Sequence, residues 1–317
     1  MSEFIQRIKR TTIAKKVYYV ASEERKIVFK NMLKRHYYVI RRQAPGGGFF
    51  SNWIWVVAHL CYADKRGYIP VVDQMNYETE YTENKPINGT TNVWEYYFNQ
   101  PNDASLEDVY ESSNYILSDF AIHSDELPYS EATATEFIVN DTKLKHVHDI
   151  VSRNIHLNNE LQNMLDNNWN KIVHDENEVI IGVHVRRTDK IVPPPGHYAA
   201  TENDLYIVEI DKILQENPNA RIFLCCDDYG TIDMFRSRYG TKVLFNEAYR
   251  AKPGSKVGIH LDKAYVRENH KYLLGVEVIM DTYMLAKCDF LIHTHSNVTN
   301  AAIIINGGLY KKRVFVG

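Results

Sequence analysis

The densest run of reactive side chains is His184-Val185-Arg186-Arg187-Thr188-Asp189-Lys190, directly behind the apolar stretch Val179–Val185. Two guanidiniums, an ammonium, an imidazole and a carboxylate at the end of a strand are costly to bury without partners. The planar fork of donors on arginine suits phosphate oxygens, so an anionic ligand explains the run best. A salt-bridge cluster such as Arg187 to Asp189 is the plainer alternative. Neighbours on an extended chain point to opposite sides, so Arg186 and Arg187 should play different roles.

Four other groupings could take part. Gly46, Gly47 and Gly48 stand before an expected helix, where glycine lets backbone N–H groups approach a phosphate. Neither GxGxxG nor GxxxxGK[ST] is met, and a plain turn fits equally well. Asp227-Asp228 follows Arg221–Cys226 and could hold a metal, orient a ribose or sugar, or cap the next helix. A metal site would need more ligands than the neighbouring sequence supplies. His293-Thr294-His295-Ser296-Asn297 closes another strand, and its two histidines lack an apparent third metal ligand. Thr294, Ser296 and Asn297 fit anion contact or N-capping. Glu277 and Asp281, four apart on a long helix, share a face, for which a solvated or capping role is the plainer reading and contact with a base or sugar the sharper one.

Elements must place these groups. In the first half, Tyr37–Arg42 reads as a strand, 51–66 as a helix with Ser51 or Asn52 as N-cap and Gly67 as C-cap, and Tyr68–Asp73 as the next strand. That is a βαβ unit with glycines at the strand-to-helix turn. Residues 76–149 read as loops and short helices. Leu157–Val173 carries a helical apolar stripe, and His174-Asp175-Glu176-Asn177 is a polar break. The second half alternates strand and helix: strands at 179–185, 221–226, 242–245, 289–294 and 313–316, and helices at 204–216, 229–239, 272–288 and 297–305. The expected fold is α/β, with two Rossmann-like domains, 1–174 and 175–317, whose parallel sheets face a cleft. The strand ends at Arg186–Lys190, Asp227-Asp228 and Thr294–Asn297 would then converge on one rim, as a nucleoside-diphosphate ligand requires.

Composition narrows the classes. With 317 residues, 44% hydrophobic and 24% charged, the chain is neither disordered nor a heptad rod. A net charge of −3 argues against a nucleic-acid partner. The four cysteines show no CxxC spacing, so a zinc site or disulfide framework is not expected. No apolar run nears the ~18 residues needed to span a bilayer. Met1–Lys16 is polar and basic, without the apolar core of a signal peptide, so a cytoplasmic protein is expected.

Three segments carry a family resemblance. Ile181–Lys190 (IGVHVRRTDK) resembles the first signature of the α1,6-fucosyltransferases and their relatives, the nodulation and protein O-fucosyltransferases. Phe223–Asp228 (FLCCDD) and Asp281–Asn297 (DTYMLAKCDFLIHTHSN) resemble two later motifs, and the glycines near Gly46 match a further feature. The resemblance implies a GT-B enzyme that moves L-fucose from GDP-fucose to a saccharide or glycolipid hydroxyl with inversion and without metal or other cofactor. Residues 1–174 would be the acceptor side and 175–317 the nucleotide-sugar side. Arg186 would clamp the β-phosphate, with Ser296, Asn297 and the amides of Gly46–Gly48 on the diphosphate. His184 and Asp281 would read guanine. Lys190 and Asp189 would shape the reacting centre, and Asp227-Asp228 the ribose or sugar pocket. No transmembrane segment is expected, which leaves peripheral membrane contact open. Pro194 stands where the α1,6 enzymes carry a glutamate proposed as base, leaving Asp189, Glu202 and Asp204 as acidic candidates. Asn297 replaces a serine. A different nucleotide sugar, or nucleotide-sugar binding without catalysis, are the alternatives.

Overall fold

The computed structural model describes residues 36–41, 47–112, 114–118, 141–175, 177–193, 198–262 and 267–317. Gly46, Pro194 and Lys16–Val20 lie outside them.

The first sheet has the order β2-β1-β3, all parallel, from β1 (Tyr37–Arg41), β2 (Ile69–Asp73) and β3 (Tyr115–Leu117). Helix α1 (Phe49–Arg66) connects β1 to β2 and ends on Gly67, whose left-handed φ of 65° lets its N–H reach the Ala63 and Asp64 carbonyls. Its start departs from expectation. The N-cap is Gly48, and Ser51 and Asn52 are inside the first turn, both donating N–H to the Gly48 carbonyl. The physical reason is packing: Phe49 and Phe50 are buried, which draws the helix two residues upstream. The Tyr81 hydroxyl accepts the Phe49 N–H at 3.0 Å, supplying the cap from another segment.

The middle segment is more regular than its composition suggests. It contains α2 (Leu106–Glu111), β3 and α3 (Asp141–Asn154). Lys143, Lys145, His146 and His148 dilute the pattern of α3, yet Leu144, Val147, Ile150 and Val151 form its buried stripe. Helix α4 (Asn159–Ile172) is capped by Asn158, whose side chain accepts the Leu161 N–H at 3.0 Å, and buries Leu161 and Leu165.

The second sheet has the order β6-β5-β4-β7-β8 and is parallel throughout. Its strands are β4 (Ile180–Val185), β5 (Arg221–Cys226), β6 (Val243–Leu244), β7 (Phe290–His293) and β8 (Lys312–Phe315), and its helices are α5 (Asn203–Glu216), α6 (Tyr229–Tyr239), α7 (His270–Lys287) and α8 (Asn297–Asn306). Every residue of β4 is buried, as expected of a central strand covered on both faces. Gly182 permits that burial: a Cβ there would sit 3.1 Å from the Cys288 side chain at the end of α7.

Helix α7 joins the halves. It is apolar nearly all round and buries Leu274, Val276, Ile279, Met280, Met284 and Leu285. Tyr97, from the first half, stacks on Tyr272 with ring centroids 5.4 Å apart and donates its hydroxyl to the Tyr272 carbonyl at 3.1 Å. One core cluster accordingly runs from Tyr38 and Trp53 through Tyr97 to Met284 and Leu291. None of the described helices is long and apolar enough to cross a membrane.

Candidate active site

Strands β5, β4 and β7 are neighbours in a parallel sheet, so their carboxyl ends lie along one edge. There the chain leaves β4 at Val185 and enters a 3-10 turn at Thr188–Lys190. An open pocket of about 650 Å³, its mouth included, lies at this edge. His184, Arg186, Asp227, Asp281 and Glu277 line it, and Tyr81 enters from the first half. Tyr81 is the residue that caps α1 behind the glycine turn, so the pocket touches both halves.

Arg186 is held from two sides. Its Nε and Nη2 donate to Asp189 Oδ1 at 3.1 and 2.7 Å, and Nε lies 3.4 Å from Asp227 Oδ2. Nη1 has no partner among the described residues, and a quarter of the side chain is exposed. Burial works against the guanidinium charge, but the Asp227 and Asp189 carboxylates overcome it and raise the pKa. Asp227 is in turn fixed by the Arg187 backbone N–H at 2.8 Å and the Thr188 hydroxyl at 2.5 Å. Burial pushes its pKa up, with Arg186 opposing. At Asp189 burial also raises the pKa, but Arg186 and Lys190 outweigh it and the net shift is downward. That makes Asp189 a weak proton acceptor and a good anchor.

Helix α7 also lines the pocket, with Leu274, Glu277, Val278 and Asp281. Asp281 Oδ1 accepts from Asn246 Nδ2 at 2.8 Å, and its Oδ2 lies 3.7 Å from Arg250 Nη2. Arg250 is 3% exposed and also donates to the carbonyls of Cys226, Asn246 and Ala248, tying the segment after β6 to the end of β5. Burial raises the Asp281 pKa against the pull of Arg250. His184 is buried, its Nδ1 lacks a hydrogen-bond partner, and burial, with Arg186 and His293 nearby, lowers its pKa to about 3. It is a neutral imidazole at pH 7, able to donate from one nitrogen and accept at the other.

Most of the other residues singled out in the sequence are placed outside this pocket. Arg187 donates Nη1 to the Thr201 carbonyl at 3.2 Å and lines a separate pocket with Asp228 and Thr231, so the opposite orientation of the two arginines is observed. The paired aspartates divide their work: Asp227 serves Arg186, whereas Asp228 caps α6 through the Thr231 N–H at 3.0 Å. Lys190 is buried in the 3-10 turn. Ser296 caps α8 through the Val298 N–H at 3.2 Å, Thr294 accepts from the Thr201 hydroxyl at 3.1 Å, and Asn297 opens α8. Val298, not these three, reaches the pocket. Gly47 is exposed with φ of 81°. Glu277, which lines the pocket, pairs with Arg267 at 2.6 Å. Among the described residues no group of three or more His, Cys, Asp or Glu side chains is arranged to hold a metal ion. Sequence reasoning missed Tyr81, Asn246, Arg250 and Arg267, which lie in segments without periodic patterning.

Two buried neutral histidines make stability depend on pH. Burial lowers His184 to about 3 and His293 to about 4, against 6.5 for the exposed ring. Between those values the unfolded chain binds protons that the native protein does not, so stability is full above about pH 6.5 and falls with acidification toward pH 4. The raised Asp227 and Asp281 oppose this, because they bind protons more readily when folded. Comparing wild type with His293→Asn isolates one histidine. Unfolding free energies from urea titrations should show a pH slope shallower in the variant by up to ~1.4 kcal/mol per pH unit; equal slopes would contradict a buried neutral His293.

The family profile described as alpha-(1,6)-fucosyltransferase N- and catalytic domains matches residues 132–302. The alpha-(1,6)-fucosyltransferase of Drosophila melanogaster is 30% identical over 121 residues, which cover 37% of this chain and 18% of that protein. The match thus spans less than a fifth of that relative. Among solved structures, NodZ alpha-1,6-fucosyltransferase soaked with GDP-fucose superposes with a TM-score of 0.50 at 16% identity, covering 86% of this chain and 93% of its own. Fucosyltransferase NodZ from Bradyrhizobium gives 0.50 at 17% identity, covering 85% and 92%. The likeness is one of fold, and the expected GT-B arrangement of two parallel-sheet halves is borne out.

Proposed function

The chain belongs to the alpha-(1,6)-fucosyltransferase family, and on that premise we propose that it transfers L-fucose from GDP-fucose to a saccharide or glycolipid hydroxyl, with inversion and without a metal ion. The observation that carries this reading is the orientation of Arg186. Two carboxylates hold its Nε and Nη2, while Nη1 has no partner among the described residues, at a pocket lined from both halves of the protein.

In this reaction the acceptor oxygen bonds to the anomeric carbon while the bond to the β-phosphate oxygen breaks on the opposite face. Negative charge gathers on the departing GDP. A guanidinium already aimed at that charge stabilises it without reorganising at the moment of reaction. Asp189 and Asp227 act as orienting groups, and the lowered pKa of Asp189 fits this better than it fits a general base. The other end of the pocket suits guanine. The outer edge of that base presents one acceptor and two N–H donors, and the pocket offers a neutral imidazole and buried carboxylates. The NodZ structure soaked with GDP-fucose, which has a similar fold, supports this reading of the donor.

The experiment is transfer from GDP-fucose to a panel of saccharide acceptors in excess EDTA. Undiminished product formation is expected. Strict dependence on added divalent metal would overturn the metal-free reading, and transfer from UDP-sugars alone would overturn the donor.

A further inference from the structure

A second open pocket, of about 460 Å³ with its mouth included, lies beside the first at the carboxyl edge of the second sheet. Neighbouring residues divide between the two: Arg186 and Asp227 line the first, and Arg187, Thr188 and Asp228 the second. The starts of α5 and α6 and a tight turn complete it, through Asn203, Thr231 and Ser255. In that turn the Lys252 carbonyl accepts the Ser255 N–H at 3.1 Å, with Pro253 and Gly254 (φ 78°) between them. The charges here are unbalanced. Asp228 is the one acidic residue in the described lining, and both its oxygens are taken, by the Thr231 N–H at 3.0 Å and hydroxyl at 2.6 Å. Arg187 is half-buried and gives Nη1 to the Thr201 carbonyl, but no carboxylate among the described residues pairs with it. Its Nε and Nη2 form one edge of the guanidinium, spaced for two oxygens of a carboxylate or phosphate. A guanidinium partly withdrawn from water without a counter-charge is costly, and an anionic ligand removes that cost. In the reading above the donor phosphate is on Arg186, so the anion at Arg187 belongs to another molecule. Thr188 is the wall between the pockets: it lines the second, while its hydroxyl bonds Asp227, which holds Arg186. A saccharide that reaches the donor across this wall places its next sugar in the second pocket.

We propose that the second pocket is an acceptor subsite for an acidic saccharide, with Arg187 holding a carboxylate or phosphate on the sugar next to the one that is attacked. This rests on the transfer reading above and extends it to the acceptor. Asn203, Thr231 and Ser255 are left for the hydroxyls of that sugar.

The test is calorimetric titration of the whole protein, saturated with GDP so that Arg186 is occupied, with glucuronate, glucose 6-phosphate, glucose and inorganic phosphate. One of the two sugar acids should bind about tenfold to a hundredfold tighter than glucose, the range for a hydrogen bond to a charged group, and the tighter one identifies the acid. In Arg187→Met that preference should vanish. Equal binding of the sugar acids and glucose by wild type would overturn the assignment even if the variant fails to fold. So would a preference that survives in Arg187→Met, or inorganic phosphate binding as tightly as the sugar acids, which would make the site one for a free ion. Equal KM for acidic and neutral oligosaccharide acceptors would remove the acceptor role. No binding of GDP at all would show that the donor reading had failed, and the same titrations without GDP would still decide this one.

Discussion

Replacing Arg186 by alanine is expected to lower fucosyl transfer by about 10²–10³, the loss of roughly 3–4 kcal/mol that follows removal of one preorganised donor to a developing oxyanion. The fold should survive, because Arg186 lies at the end of β4 with a quarter of its side chain exposed and belongs to no core cluster. Asp227 keeps its bonds from the Arg187 N–H and the Thr188 hydroxyl in the variant, so the turn stays anchored. Arg186→Lys should recover little, since an ammonium cannot hold Asp189 with two nitrogens and present a third to a phosphate. Turnover with GDP-fucose and a thermal melt of each variant check this. Near wild-type turnover in Arg186→Ala would contradict the role given to it.

The second large effect concerns stability. Arg250→Met should destabilise the protein by about 3–5 kcal/mol, the usual consequence of leaving one partner of a buried ion pair behind. Asp281 would lose Arg250 while remaining 6% exposed, and the carbonyls of Cys226, Asn246 and Ala248 would lose a shared donor. Adding Asp281→Asn removes the stranded charge, and part of the loss should return. Urea unfolding of the single and double variants measures both. A double variant no more stable than Arg250→Met would mean that the carbonyl contacts, not the charge pair, carry the effect.

How far the sequence reveals this arrangement depends on whether local patterning survives burial. Strands β4, β5 and β7 were legible because a parallel strand covered on both faces is a continuous apolar run, and because polar residues mark its carboxyl end. The 184–190 run sits at such an end, so its place at the edge of the second sheet could be inferred from the chain alone. Helix α7 was legible as a helix but not in direction. It is apolar on nearly every side because both halves pack on it, and such a helix gives no sign of which face meets a pocket. For Glu277 and Asp281 a solvated or capping role therefore stood beside contact with a base or sugar. Helix α3 was obscured in the opposite way, its four buried positions set among lysines and histidines. Tyr81, Asn246 and Arg250 reach the site only through tertiary packing. Arg250 does so by collecting three carbonyls after the short strand β6, a role that no spacing announces. Strand β3 is three residues long and gains its identity from pairing with β1.

A crystal structure of the GDP complex is the most direct test. A β-phosphate oxygen is expected within about 2.7–2.9 Å of Arg186 Nη1, with guanine against the Leu274–Asp281 face of α7. GDP bound away from this edge of the second sheet, with Arg186 still engaged only by Asp189 and Asp227, would contradict it.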